Sequence, residues 1–110
     1  MVERSSLLDD TYAALAHPVR REMIRSLGRG DRRVTELAAP FDISLAAASK
    51  HIRVLEAAGL VIRRVEGREH HLSLDVEPLS EAERWIERNT RLWERRLDRL
   101  EARLGKGRAR

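Results

Sequence analysis

The apolar residues of this chain recur at helical spacing through most of its length, and the segment 44–58 is the clearest case. Ala48, Ile52 and Leu55 follow one another at the i, i+4 and i+7 positions of a helix with one buried face. Ser44 is a suitable N-cap, and Gly59 can take the left-handed conformation that ends many helices. The pattern predicts a helix that begins after Ser44 and ends before Gly59.

Four other segments show a helical pattern. Ser5 or Ser6 is expected to open the first helix, Pro18 suits the first position of the second, and Pro40 stops the third. The second, third and last helices are predicted over 18–27, 34–39 and 78–104. Because the third helix and the helix at 44–58 are joined by the tight turn 41–43, they predict a helix-turn-helix.

Two runs rich in β-forming residues, 60–65 and 70–74, flank the turn 66–69 and predict a hairpin. Period-two alternation places Val61, Val65, Leu72 and Leu74 on the core side, with Arg64 and Arg68 free near the tip. The predicted fold is mostly α, with five helices and one small two-stranded wing.

The last predicted helix has an apolar face that is too wide for so small a domain to cover. Its apolar residues recur every seven positions, and the first helix has a matching apolar face. Burial against a second copy is the economical solution, and Asn89 is placed to set the register. The predicted homodimer interface comprises Leu8, Tyr12, Leu15, Leu79, Ile86, Trp93, Leu97 and Leu100.

Trp85 and Trp93 lie close to one face of that helix, where they indicate either dimer core or one wall of a small-molecule pocket. The first reading follows from the width of the apolar face. The second follows because the space between the first and last helices is the obvious place for an effector. The sequence does not identify such an effector.

Composition narrows the function classes. The 110 residues predict one domain over 1–104 and a basic disordered tail over 105–110, and the net charge of +4 favours polyanionic partners. The chain contains no cysteine, which excludes disulfides and thiolate metal sites. Without a membrane-length apolar run, a phosphate-binding glycine loop or a nucleophile–base arrangement, we expect a cytoplasmic protein that is not an enzyme.

The outward face of the helix at 44–58 carries small side chains flanked by cations, which suits insertion into a DNA major groove. Ser49, Lys50 and His51 can reach base edges or phosphates, although a solvated helix face is the alternative, and His51 can instead be half-buried and hydrogen-bonded within the turn. The full set of predicted DNA contacts is Ser44, Leu45, Ala46, Ala47, Ser49, Lys50, His51, Arg53, Arg64 and Arg68.

These candidates differ in expected role. Leu45, Ala46 and Ala47 offer methyl groups to thymine, or simply permit close approach. Arg53 and the two wing arginines are expected on phosphates, with solvated surface charge as the alternative. Weaker phosphate candidates are Arg20, Arg21, Arg32 and Arg33.

No metal or other cofactor is predicted from the histidines. His70 and His71 are neighbours on a strand, so their side chains point to opposite faces and cannot easily share one metal. His17 with Asp9 or Asp10 is the conceivable alternative, as a metal site in a symmetric dimer.

Three motifs carry a family resemblance: LAHPVRR at 15–21, TELA at 35–38 and SKHIRVLEAAGLV at 49–61. With them the chain resembles the ArsR family of bacterial transcriptional regulators over roughly residues 10–104. The resemblance implies a winged helix-turn-helix homodimer, joined through its first and last helices, that binds a pseudo-palindromic operator, most often as a repressor. It assigns 44–58 to the major groove and 63–71 to the wing.

The chain departs from the metal-sensing members of that family, which carry cysteines in the third helix or spaced Asp, His and Glu in the last. The segment 34–39 has no soft ligand and the last helix has no histidine, so the chain resembles the non-metal branch. We expect a dimeric repressor or autorepressor, with double-stranded DNA as partner. The alternatives are a ligand- or metal-responsive sensor of the same fold and a protein-interaction module without a specific DNA target.

Overall fold

The computed structural model describes the backbone of residues 2–105 and the side chains from Leu7 onward. Apart from Gly105, the predicted tail lies outside these residues. Five helices and a small antiparallel sheet confirm the predicted fold class. In chain order the elements are α1 (Val2–Leu15), α2 (Pro18–Leu27), β1 (Arg32–Arg33), α3 (Val34–Ala38), α4 (Leu45–Ala57), β2 (Val61–Glu66), β3 (Glu69–Leu74) and α5 (Glu77–Leu104).

Local capping residues set most of the helix boundaries. The Ser44 hydroxyl accepts a hydrogen bond from the backbone N–H of Ala47 at 3.1 Å, and Gly59 has φ +77°, so both predicted ends of α4 are confirmed. Pro18 occupies the first turn of α2. The prediction that Ser5 or Ser6 opens α1 is wrong, because the helix already begins at Val2 and the segment before the serines contains no glycine or proline to interrupt it.

The hairpin is confirmed, with a tighter turn than predicted. Glu66 pairs with Glu69, which leaves a two-residue turn at Gly67, where φ is +62°. Val61 and Leu72 are buried and Leu74 packs against the core as predicted. Val65 is 56% exposed, so its predicted core position is wrong: the hairpin has passed beyond the core at this point.

A third strand was not predicted. The two residues of β1 pair antiparallel with β3, Arg32 opposite Leu72 and Arg33 opposite His71, and the sheet order is β1-β3-β2. A two-residue strand of arginines carries no β-type hydrophobic pattern, so nothing local in the sequence marks it. Its pairing makes β3 the central strand of the wing.

One face of α4 packs into the hydrophobic core. Ala48, Ile52 and Leu55 are fully buried, as the spacing predicted. They share a cluster with apolar residues of α2, α3 and the sheet, chiefly Met23, Leu27, Leu37, Leu60, Val61 and Leu72. This packing leaves the opposite face of α4 at the surface.

The first part of α5 packs on its own chain, and the rest of the helix extends beyond it. Leu79 lies against the core and Ala82 is buried, while the Tyr12 and Trp85 rings meet edge to face with centroids 6.4 Å apart. The described molecule measures 70 Å along its long axis. No helix within residues 2–105 is long and apolar enough to cross a membrane.

Candidate nucleic-acid interface

The outward face of α4 brings together the candidate residues of the recognition helix. Its N-terminal end is open, and Leu45 is 55% exposed although it is a large apolar residue. Ala47, Ser49 and His51 are half-buried at the border of the face. The exposed members are Ser44, Leu45, Ala46, Lys50 and Arg53.

His51 is the candidate with the most structured surroundings. Its ring lies 4.4 Å from the ring of His17, and its Nδ1 atom is 3.1 Å from a terminal nitrogen of Arg20. Burial lowers the pKa of His51, and the nearby basic side chains of His17, Arg20 and Lys50 lower it further. His51 is therefore half-buried, but its hydrogen-bond partner lies on α2 and not within the turn. Its contact with DNA stays a prediction.

Two arginines at the start of α2 donate hydrogen bonds to backbone carbonyls of α1. Arg20 donates to the carbonyls of Ala14 and Ala13 at 2.8 and 3.1 Å, and Arg21 donates to the carbonyl of Leu15 at 2.7 Å. These carbonyls lie in the last turn of α1, where backbone acceptors lack helical partners. Arg20 and Arg21 therefore stabilise the end of α1, whatever else they contact.

An ion pair joins α4 to the wing. The Arg63 guanidinium donates to both carboxylate oxygens of Glu56, at 2.8 and 2.9 Å, and both side chains are 26% exposed. These hydrogen bonds hold the pKa of Glu56 below its ordinary value. The candidate set missed Arg63, although strand alternation places it on the same face as the buried Val61.

At the wing tip the predicted arginines are exposed, but they are not equivalent. Arg68 lies next to the turn glycine Gly67. Arg64 is not free as predicted, because its Nε atom is 3.0 Å from a Glu66 carboxylate oxygen. Both partners of that pair are more than half exposed, so it adds little to stability and leaves Arg64 accessible to a phosphate.

The arginines of β1 also have protein partners. Arg33 pairs with Glu36 and Glu69 at 3.5 and 3.3 Å, and its backbone N–H donates to Glu36 at 2.8 Å. That backbone hydrogen bond is the main cause of the lowered pKa of Glu36. The side chain of Arg32 donates to the Ser26 hydroxyl at 3.3 Å.

The two wing histidines have different partners. Nδ1 of His70 lies 3.0 Å from Arg63, whereas Nε2 of His71 faces Glu69 and Glu66 at 3.2 and 3.6 Å. Within residues 2–105, no three His, Asp or Glu side chains form a group able to hold a metal ion.

The small-molecule pocket between the first and last helices stays a prediction. A hollow of about 100 Å³ beside Trp93 is lined by Asn89, Leu92, Trp93 and Arg96, all on α5, and it takes no residue from α1. Asn89 also uses its amide on its own helix, donating to the carbonyl of Trp85 at 2.9 Å.

Comparison with known proteins gives one consistent answer. A family model for a helix-turn-helix domain matches residues 15–64. The crystal structure of an ArsR family transcriptional regulator is 37% identical, with a TM-score of 0.78, and the match covers 82% of this chain and 93% of that one. Among curated proteins, the HTH-type transcriptional regulator Rv2034 of Mycobacterium tuberculosis is 37% identical over 67 residues, 61% of this chain and 63% of that protein.

The transcriptional repressor SdpR of Bacillus subtilis is 25% identical over 79 residues, which are 72% of this chain and 88% of that protein. The expected winged helix-turn-helix fold therefore rests on relatives as well as on geometry. The chain belongs to the ArsR family of transcriptional regulators, a class of DNA-binding proteins that are not enzymes.

Proposed function

We propose that this protein is a homodimeric repressor that binds a pseudo-palindromic operator, with α4 of each protomer in a major groove. One observation carries the proposal: α4 is fixed in the core by Ala48, Ile52 and Leu55, while its small and cationic side chains face outward. A helix held by one face and open on the other is suited to enter a groove about 12 Å wide.

The N-terminal half of α4 supplies the contacts to base edges. Ser49 and Lys50 offer a hydroxyl and an ammonium group, which can bond to acceptors on bases or on phosphates. Leu45, Ala46 and Ala47 bring only apolar atoms, so they favour close approach and contact with thymine methyl groups. We therefore expect A·T pairs opposite the start of α4.

Phosphate contacts come from arginines on both sides of the helix. Arg53 lies on the exposed face of α4, and Arg64 and Arg68 lie toward the tip of the wing. Contacts of this kind set the register of a protein on the duplex and supply sequence-independent affinity. The Arg63–Glu56 ion pair keeps the wing at a defined angle to α4 while these contacts form.

The second protomer is expected on α5. Ile86, Trp93, Leu97 and Leu100 lie along one side of the helix, and each is about half exposed or more. Exposed apolar residues that line one side of a helix over several turns are typical of an interaction surface. A twofold axis through α5 covers it with the same surface of a second chain and presents two copies of α4 to the DNA.

Sequence similarity supports a role in repression. The relative SdpR, which aligns with 72% of this chain, is a transcriptional repressor. A dimer that occupies an operator near a promoter excludes other proteins from the same DNA. The regulated gene is expected to be the protein's own or a neighbour.

The deciding experiment is capture of sheared genomic DNA by the purified protein at about physiological salt, followed by sequencing. We expect a short inverted repeat, enriched upstream of a few genes. Enrichment without a common motif would contradict the operator and would favour the alternative in which the fold binds another protein.

Replacing Ser49 and Lys50 together by alanine tests the orientation of α4. Because both side chains lie on the outward face, we expect loss of at least tenfold in affinity for the captured operator, with little change in melting temperature. Arg95→Ala, which removes a cation from α5, is the matched control and keeps near wild-type affinity. Equal losses in the two variants would argue that only net charge matters.

A further inference from the structure

Arg20 makes hydrogen bonds to two different helices at once. Its Nε atom and one terminal nitrogen donate to the carbonyls of Ala14 and Ala13 in the last turn of α1, at 2.8 and 3.1 Å. Its other terminal nitrogen lies 3.1 Å from Nδ1 of His51 on α4. Since Arg20 itself belongs to the first turn of α2, one planar guanidinium connects α1, α2 and the recognition helix.

The chemistry of arginine determines the state of the His51 ring. A guanidinium has five N–H donors and no acceptor, so the atom facing it must accept. Nδ1 of His51 is therefore unprotonated, and the proton of the neutral ring is on Nε2.

The same reasoning applies to His17, whose ring contacts that of His51 at an interplanar angle of 49°. Its Nδ1 atom accepts a hydrogen bond from the backbone N–H of Val19 at 3.1 Å and so caps α2. The two rings are 4.4 Å apart, and both have Nδ1 engaged by a group that can only donate. The charged or titratable groups facing His51 are Lys50 on its own helix and His17 and Arg20 at the start of α2. All of these are basic, and together with burial they favour the neutral ring.

We propose that Arg20 is a positioning residue of the DNA-binding surface: it holds His51 as the neutral ring protonated on Nε2 and ties α4 to the end of α1. The DNA-binding part of this inference rests on the proposed function, whereas the state of the ring does not. His51 then acts as a hydrogen-bond donor toward DNA.

A donor at this position restricts what His51 can recognise. Acceptors in the major groove are O6 and N7 of guanine, N7 of adenine and O4 of thymine, and phosphate oxygens accept as well. The amino group of cytosine donates, so it is a poor partner for Nε2–H. We therefore infer that His51 contributes selectivity against cytosine, or anchors a phosphate, only while Arg20 keeps Nδ1 occupied.

The test is two-bond ¹H–¹⁵N correlation NMR of the histidine rings in the uniformly labelled, DNA-free protein at about pH 7.5. We expect His51 to show a protonated Nε2 and an unprotonated Nδ1 in the wild type. A proton on Nδ1 of the wild-type ring, or rapid exchange between both forms, overturns the proposal without reference to any DNA.

Arg20→Met and Arg21→Met are the matched variants. Each substitution removes one cation and the side-chain hydrogen bonds that this cation donates to carbonyls at the end of α1. Of the two arginines, only Arg20 contacts His51. We expect Arg20→Met to give mixed His51 ring forms and to raise the pH midpoint of its titration, and Arg21→Met to change neither. Identical His51 spectra in the two variants would overturn the role of Arg20.

Arg20→Lys provides a readout if Arg20→Met folds poorly. Lysine keeps the charge but not the planar fork, so it cannot serve two carbonyls and an imidazole in the same geometry. We expect it to restore stability but not the single ring form. Operator affinity is expected to fall roughly three- to tenfold more with Arg20→Met than with Arg21→Met, because the two variants share the loss of one cation and of a candidate phosphate contact. If the wild type binds no operator, the proposed function fails, and the NMR result still decides the state of the ring.

Discussion

At His51 the folded chain keeps a neutral imidazole among basic groups. Burial first, and then His17, Arg20 and Lys50, lower the pKa of this residue below 6.5. The unfolded chain takes up a proton near pH 6.5, and the folded chain does so only at lower pH. Folding stability due to this residue is therefore intact above that pH and decreases as the pH falls below it.

The residue-scale prediction is that wild-type stability falls between pH 7.5 and 5.5 more steeply than that of His51→Gln. Glutamine cannot take up the proton, so this part of the pH dependence disappears. Urea unfolding at several pH values measures the difference. Parallel stability profiles for the two proteins would show that the His51 environment does not favour the neutral ring.

Single residues were predictable where their role is local. Ser44 and Gly59 bracket α4 because capping and left-handed backbone depend on a few neighbours. Val65 and Arg63 were not, since their burial and pairing depend on where the core ends beneath β2. The same holds for Arg20, whose partner His51 is 31 positions away in the chain.

Among the elements, the joint between α4 and β2 is expected to contribute measurably to stability. The bidentate Arg63–Glu56 pair is largely shielded from water, whereas the Arg64–Glu66 pair nearby is mostly exposed. We predict a coupling of about 1–2 kcal/mol for the first pair in a double-mutant cycle of Arg63→Met and Glu56→Gln. The second pair, as control, should give less than about 0.5 kcal/mol.

Acid provides a second check on the same joint. Because hydrogen bonds from Arg63 lower the pKa of Glu56 below 4.5, its contribution is present above that value and is lost as the pH falls through the lowered pKa. Equal coupling energies for the Arg63–Glu56 and Arg64–Glu66 pairs would exclude this account of how the wing is held. A coupling energy of the Arg63–Glu56 pair that does not change in acid would exclude it as well.

Helices whose ends carry proline or glycine were predicted well, and α2 matches its predicted bounds because Pro18 begins it and Gly28 ends it. The strand β1 was missed because it exists only through its pairing with β3. The start of α1 was misplaced since serine is compatible with a helix interior as well as with a cap.

For the whole molecule, the apolar stripe on α5 predicts association. Leu97→Glu should shift the protein from dimer to monomer in sedimentation at micromolar concentration, because the new charge would be buried in the interface. Arg95→Glu places the same charge on the opposite side of the helix and should leave the dimer intact. The melting temperature of Arg95→Glu, which remains a dimer, should rise with protein concentration, whereas that of Leu97→Glu should not. A wild type that sediments as a monomer would exclude the proposed assembly.

Salt dependence is the second prediction at this scale. Lys50, Arg53, Arg64 and Arg68 are all exposed, and a dimer presents each of them twice. If most contact phosphates, operator affinity should fall on the order of 10³–10⁵-fold between about 50 and 200 mM salt. Arg68→Ala should reduce the slope of log affinity against log salt by about two per dimer. A slope unchanged by this substitution would remove Arg68 from the phosphate contacts.

The strand order of the wing also bears on solubility. In the order β1-β3-β2 the long edge strand of the sheet is β2, which carries the exposed Ile62 and Val65; the other edge strand, β1, has only two residues. An uncovered edge with apolar side chains is a template for strands of other molecules. Arg63, Arg64 and Glu66 interrupt the apolar residues with charge, which disfavours pairing of two such edges. Arg63, which holds the wing, and Arg64, a proposed phosphate contact, thus also protect the protein from aggregating through its sheet.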